Sequence, residues 1–177
     1  WSSDVCSSDL TRILRNMKAA RRVEAVDLMI ASNTITVAIA PRQPGIFTLD
    51  SSGNGHAVAL IGNTATLAVP PGLAANARPV GRGEFITIFA TGLGPVSNQP
   101  PTGVPAPTAP FALVADPVSV TIGGAPSLVS FAGLAPGFFG LYQVNVQIPN
   151  GLAPSDATPL VLSVGGVRAN PVLIAVR

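Results

Sequence analysis

Residues 118–148 read VSVTIGGAPSLVSFAGLAPGFFGLYQVNVQI, and their alternating pattern decides the fold class. In Val118–Ile122 every second residue is apolar and the others are Ser and Thr, and Gly123-Gly124 follows as a turn. In Tyr142–Ile148 the even positions are apolar and the odd positions are Gln, Asn and Gln. Because successive side chains of a strand point to opposite faces, both segments are predicted to be strands with one buried and one polar face.

The same period of two recurs along most of the chain after residue 33. Further strands are predicted at Thr34–Ala40, His56–Ile61, Thr64–Val69, Glu84–Thr91, Ser127–Phe131, Leu160–Val164 and Val172–Val176. Glu84–Thr91 is apolar on both faces, which predicts a central place in a sheet. About nine short strands with no helix after residue 31 predict an all-β fold, an immunoglobulin-like antiparallel β-sandwich. Residues 95–117 contain seven prolines and are expected to form a long loop that crosses between the sheets.

The N-terminal residues differ in composition from the rest of the chain. All 18 Pro and all 18 Gly lie after residue 40, whereas residues 1–30 hold five of the 10 Lys and Arg and four of the 8 Asp and Glu. Residues 1–10, WSSDVCSSDL, look like translated adapter sequence, so residues 1–30 are interpreted as an artefactual or non-native segment. A helical period of apolar residues over 11–30 leaves an amphipathic basic N-terminal helix as the alternative.

Charge and hydropathy exclude several classes of partner. The net charge is only +2, and the chain has no apolar run of 18 residues that would cross a bilayer. The arginines after residue 40 are too scattered to form a track for phosphates; they are Arg42, Arg78, Arg82, Arg168 and Arg177. We therefore expect no nucleic-acid partner and no transmembrane segment.

Two polar clusters are candidate sites, one for a catalytic triad and one for calcium. His56 is the only histidine, and Asp50 and Ser52 precede it, but three residues so close in sequence rarely reach the geometry of a catalytic triad. Asp50–Gly55 offers oxygen ligands as a calcium loop does, yet Ile61 stands where such a loop has its bidentate Glu. The sequence therefore predicts no catalytic residue, no metal site and no cofactor.

Three aromatic residues follow the loop that precedes Tyr142–Ile148. Phe138, Phe139 and Tyr142 are candidate ligand contacts, because an exposed aromatic platform binds sugars. Aromatic residues where a chain enters a strand more often close the end of a sandwich core. The sequence favours this second role for all three.

Five motifs carry a resemblance to a known family. They are PGIFT (44–48), FATGLGP (89–95), VTIGGAP (120–126), FAGLAPGFFGLYQVNVQIP (131–149) and SVGGVRAN (163–170). In this order the sequence resembles, over about residues 31–177, an uncharacterised C-terminal domain family of Solibacter-type acidobacteria that is related in pattern to the immunoglobulin-like IPT/TIG domains. The resemblance implies a module at the C-terminus of large exported proteins, without assigned activity or catalytic residues.

The sequence thus predicts three parts: residues 1–30 as described, residues 31–40 as the closing strand of a truncated preceding domain, and residues 41–177 as the sandwich. The expected function is that of a non-catalytic structural or protein-interaction module, extracellular or on the cell surface. Its expected partners are other domains of the parent protein, a cell-surface protein or a glycan. The alternative is a carbohydrate-binding module that uses the exposed aromatics.

Overall fold

A computed structural model describes residues 22–23 and 35–177 of the chain. The chain divides into two units, residues 1–40 and 41–177. In the first unit, β1 (Arg22–Val23) pairs antiparallel with β2 (Ile35–Thr36). The helix hypothesised over 11–30 lies outside the described residues except for β1, where the backbone is extended. The strand predicted at Thr34–Ala40 is restricted to β2 in the described residues.

The second unit contains two sheets whose strands pair antiparallel, and its described residues include no helix. The first sheet consists of β3 (Gly45–Ile46), β4 (Ala59–Ile61), β5 (Phe85–Thr91), β8 (Val129–Leu134) and β9 (Tyr142–Gln147). The second sheet consists of β6 (Val118–Ile122), β7 (Ala125–Ser127), β10 (Ser155–Val164), β11 (Val167–Arg168) and β12 (Val172–Val176). The predicted all-β antiparallel sandwich is therefore confirmed.

The strand order places β5 in the middle of the first sheet. It pairs with β3 and β4 on one side and with β9 on the other, and β8 follows β9. In the second sheet β10 is central, between β6 on one side and β11 and β12 on the other. The central position predicted for Glu84–Thr91 is confirmed.

The core between the sheets is aliphatic. Its fully buried side chains include Ile86, Ile88, Val144, Val146, Ile122, Leu160, Leu162 and Ile174. These residues occupy alternate positions of the central strands, as the period of two requires. None of the seven phenylalanines, all of which lie in the described residues, belongs to this buried set. The aromatic side chains are consequently available at the surface or half-buried below it.

One polar side chain, on the turn between β11 and β12, bonds to β3, which is far away in sequence. The Asn170 amide pairs with the Ile46 backbone: Oδ1 accepts from the Ile46 N–H (2.6 Å) and Nδ2 donates to the Ile46 carbonyl (3.1 Å). Nδ2 also donates to the Gly53 carbonyl (2.6 Å). The amide thus replaces a strand neighbour at β3, since it satisfies both backbone groups of one residue.

Several predicted elements differ from the observed ones. Thr64–Val69 is not a strand; only Leu67 makes isolated bridges. The Thr64 hydroxyl donates to the Ile61 carbonyl (2.7 Å) and accepts from the Thr66 N–H (3.2 Å). These local side-chain bonds hold a turn directly after β4. The hairpin predicted after Val118–Ile122 is shorter than expected, because the chain leaves the second sheet after β7 and enters the first at β8. Within the long loop, Leu113 bridges to Gly133 on β8.

Candidate ligand-binding surfaces

The three candidate catalytic residues, Asp50, Ser52 and His56, do not come together as a triad. The Asp50 carboxylate accepts from the Ser52 hydroxyl (2.8 Å) and from the Ser52 N–H (3.1 Å), and these bonds lower the pKa of Asp50. His56 pairs through Nε2 with the carbonyl of Asp156 (2.9 Å) on β10 instead. A triad needs the histidine between the hydroxyl and the carboxylate, so this arrangement does not form one.

The loop weighed for calcium holds itself together through its own hydrogen bonds. The Ser52 hydroxyl donates to the Asn54 carbonyl (2.6 Å), and the Gly53 N–H donates to the Thr48 hydroxyl (3.0 Å). The Gly53 carbonyl in turn accepts from Asn170. In the part of the chain that the structure describes, no three His, Cys, Asp or Glu side chains are grouped as metal ligands would be.

Phe138 and Phe139 lie at a tip formed by residues 137–140, here called the GFFG tip. The side chains are 57% and 68% exposed, so the prediction that they close the core is wrong. Two backbone hydrogen bonds, each of 2.9 Å, fasten the tip to Ala106: the Gly137 N–H donates to the Ala106 carbonyl and the Ala106 N–H to the Phe138 carbonyl. The rings project because small side chains, Ala106 and Ala112 beside Leu134, already fill this end of the sandwich.

Tyr142 occupies a different environment from the two phenylalanines. Its ring is half-buried and packs against both the main core and the cluster of Ala106, Ala112 and Leu134. Its hydroxyl donates to the Gly94 carbonyl, and burial raises the pKa of the phenol. The structure therefore places Tyr142 beneath the surface at this end of the sandwich, with its polar group already bonded.

The outer side of the first sheet forms a second aromatic surface, which the sequence analysis did not identify as a site. Here it is called the amide face, and it consists of Phe85, Thr87, Phe89, Phe131, Gln143, Asn145 and Gln147. The members on β5 and β9 alternate with buried residues, which fixes their outward direction. The signal was present in the sequence, because Tyr142–Ile148 alternates and Glu84–Thr91 is apolar on both faces.

The cross-strand register arranges the amide face in rows. Phe85 lies opposite Gln147, Thr87 opposite Asn145, and Phe89 opposite Gln143. On the other side of β9, Phe131 of β8 lies opposite Asn145. Every side-chain amide of β9 therefore has an aromatic or hydroxyl neighbour on an adjacent strand, at the distance over which cross-strand pairs interact.

An open cavity of about 360 Å³ lies on the amide face. It is lined by Gly62, Asn63, Phe85, Thr87, Ser130 and Asn145. Ser130 reaches it because the pairing of β8 with β9 shifts register between Val129 and Phe131, which inserts an extra residue on β8. Cavities of this size accommodate small ligands in proteins generally.

Hydrogen bonds fix the orientation of Asn145 in the cavity. Its Oδ1 accepts from the Thr87 hydroxyl (3.1 Å) and from Gln143 Nε2 (2.9 Å). No side chain or carbonyl among the described residues accepts a hydrogen bond from its Nδ2. The acceptor of Asn145 is thus satisfied by the protein, whereas its Nδ2 donor has no protein acceptor among the described residues.

The amide face itself contains no charged residue. The strands β4, β5, β8 and β9 contain no Asp, Glu, Lys or Arg. Arg42 pairs with Asp116 (2.7 Å), and Arg78 binds both carboxylate oxygens of Glu84 (2.8 and 2.9 Å). The Arg78 hydrogen bonds lower the pKa of Glu84 to about 2, so both partners of this pair are charged at neutral pH.

Comparisons of the chain with protein-family models, with curated proteins and with solved structures found no match. A search of the described residues for a helix with the length and hydropathy needed to cross a membrane found none. The features that point to a function are therefore the two aromatic surfaces, the GFFG tip and the amide face.

Proposed function

We propose that residues 41–177 act as a non-catalytic, immunoglobulin-like interaction module of an exported bacterial protein, and that the GFFG tip contacts its partner. The partner is a cell-surface protein or another domain of the parent protein. The observation that carries the proposal is the tip itself, where two adjacent phenylalanines are held in solvent by backbone bonds to Ala106. Exposed aromatic side chains on a fixed backbone lose little conformational entropy on binding, which is why they are frequent at protein interfaces.

Three further observations support this proposal. Asp50, Ser52 and His56 do not form a triad, and the order of the five motifs resembles that of the acidobacterial C-terminal family, whose members are exported. Low charge and abundant Ser, Thr and Pro fit an extracellular domain. Within the larger protein, the sandwich would supply a rigid support from which the tip reaches a partner.

The experiment measures binding of the fluorescently labelled full chain to envelope fragments of acidobacteria. The test variant replaces both aromatics, Phe138→Ser with Phe139→Ser, and the matched control is Leu128→Ser, which removes a 61% exposed apolar side chain outside the tip. We expect binding that the double variant loses, that the control retains and that protease treatment of the envelopes abolishes. Equal binding of the double variant and the unaltered chain would contradict the proposal.

A second candidate, a carbohydrate-binding module at the same end, is favoured by the exposure of Phe138 and Phe139. In this candidate the rings of Phe138 and Phe139 stack on sugar rings. Tyr142 holds the chain segment after β5 through its bond to the Gly94 carbonyl. The same experiment separates the candidates. A glycan partner gives binding that survives protease, disappears after periodate oxidation of the envelopes and is lost in the double variant.

A further inference from the structure

We infer that the amide face is a binding site for a neutral polysaccharide, centred on the cavity beside Asn145. The site lies on β5, β8 and β9 and on the turn after β4, whereas the GFFG tip lies on a loop, so the inference does not depend on the proposed function. Both have tests that vary different residues.

The chemistry of the lining matches a sugar ring. A pyranose has an apolar face of C–H groups and a rim of hydroxyls, so it needs an aromatic surface and nearby hydrogen-bonding groups at once. Phe85 supplies the aromatic surface and is 40% exposed. Asn63, Thr87, Ser130 and Asn145 supply amide and hydroxyl groups around the same cavity.

Asn145 gives the site its strongest directional feature. Two protein donors, Thr87 and Gln143, occupy its Oδ1, so the amide is held in one orientation before any ligand arrives. Its Nδ2 has no protein acceptor among the described residues and belongs to a residue that lines the cavity, so it is a fixed donor available to a ligand there. A donor that is oriented in advance costs less conformational entropy on binding than a freely rotating one, which favours an acceptor such as a sugar hydroxyl.

The charge and length of the face specify the type of polysaccharide. The three strands that form it, β5, β8 and β9, contain no charged residue, so an anionic glycan would meet no cation on them. Phe85 and Phe89 stand four residues apart on β5, which separates them by roughly 13 Å along the strand. A chain of linked sugars, laid along β5 and β9, would contact both ends of the row.

The experiment is affinity electrophoresis of the full chain in gels containing cellulose ether, xylan, mixed-linkage β-glucan, galactomannan or starch, with alginate as the anionic control. The first variant is Asn145→Asp, which keeps an oxygen that accepts from Thr87 and Gln143 but replaces the Nδ2 donor. The second is Phe85→Ala. The matched control is Leu73→Ala, which removes a 54% exposed apolar side chain that belongs to neither surface, and Phe139→Ala tests the GFFG tip.

We expect at least one neutral polysaccharide to retard the chain and alginate not to do so. Asn145→Asp and Phe85→Ala are each expected to weaken binding by about tenfold or more, the equivalent of about 1.4 kcal/mol, while Leu73→Ala binds as the unaltered chain does. Urea unfolding of each variant shows that the weakened binding is not a loss of folding.

Four outcomes would overturn the inference. The first is that no neutral polysaccharide retards the chain, and the second is that a folded Asn145→Asp variant binds with unchanged affinity. The third is dimerisation in sedimentation experiments that Phe85→Ala abolishes, because the face would then be covered by a second copy. Loss of binding in Phe139→Ala alone would move the glycan site to the tip and also overturn the inference.

Discussion

Phe85 on the amide face and Phe139 on the GFFG tip are both exposed aromatic side chains, but their supports differ. Phe85 stands on the central strand of a sheet, with buried Ile86 next to it in sequence and Gln147 opposite on β9. Phe139 stands on a loop that two backbone hydrogen bonds attach to Ala106. The face is therefore coupled to the hydrophobic core, whereas the tip can change without disturbing it, and the following predictions test this difference.

The largest effect is expected beneath the amide face. Ile88 is fully buried on β5, opposite Ala59 and Val144, so Ile88→Ala leaves a cavity within the core. We expect the free energy of unfolding to fall by about 3 kcal/mol. Urea denaturation followed by circular dichroism measures this change, and a loss below about 1 kcal/mol would show that the face is not coupled to the core as described.

A smaller effect is expected at the edge of the face. A Cβ added at Gly133 would lie 2.5 Å from the Ala112 carbonyl oxygen and 3.0 Å from the Phe131 ring. Gly133→Ala must therefore displace the loop backbone at Ala112 or the Phe131 ring. We expect the free energy of unfolding to fall by about 1–3 kcal/mol. The same denaturation experiment measures it, with Gly151→Ala as a comparison, since Gly151 has no positive φ and an added Cβ there meets no atom within 4 Å.

Acid is expected to affect the start of β5 and not the tip. Glu84 has a pKa of about 2 in the folded chain, below its value in the unfolded chain, so its stabilising effect is complete above about pH 5 and is lost as the pH falls toward 2. Because the pair with Arg78 is more than one-third exposed at Glu84, we expect less than about 1 kcal/mol. The stability difference between the unaltered chain and Glu84→Gln should shrink from pH 6 to pH 2.5; a constant difference would contradict this assignment.

The smallest effect is expected at the tip. Phe139→Ser removes a ring that is 68% exposed, so we expect the free energy of unfolding to change by less than about 0.5 kcal/mol. The thermal midpoint and the urea midpoint check this result together. A larger loss would mean that the tip contributes to folding and is coupled to the core as the amide face is.

The period of two was sufficient to predict one strand in each sheet. Val118–Ile122 and Tyr142–Ile148 were recognised because their core is on one side only, so polar and apolar residues alternate strictly. Thr64–Val69 also consists of Thr and apolar residues, but the Thr64 hydroxyl bonds locally to the Ile61 carbonyl, and only Leu67 makes isolated bridges. Such competition between side-chain and ladder bonds is not visible in a pattern of hydropathy.

The candidate surfaces were harder to predict than the strands. The exposure of Phe138 and Phe139 depends on which side chains fill the end of the core, and that was decided by Ala106 and Ala112, distant residues of the proline-rich loop. The cavity depends on the register shift that turns Ser130 outward, which requires knowledge of the partner strand. The sequence gives the periodicity of each strand, but pairing across strands determines which side chains meet.

The Asn170 amide has a consequence for how the domain is made. It bonds to Ile46, which precedes it by 124 residues, so β3 lacks this partner until the ribosome has synthesised almost the whole domain. Contacts of such large sequence separation slow folding, because a long chain must be brought together before the bond rewards it. Nascent chains that end before Asn170 therefore leave the Ile46 backbone groups without this partner while β3 already pairs with β5, and completion of the fold follows translation of β12.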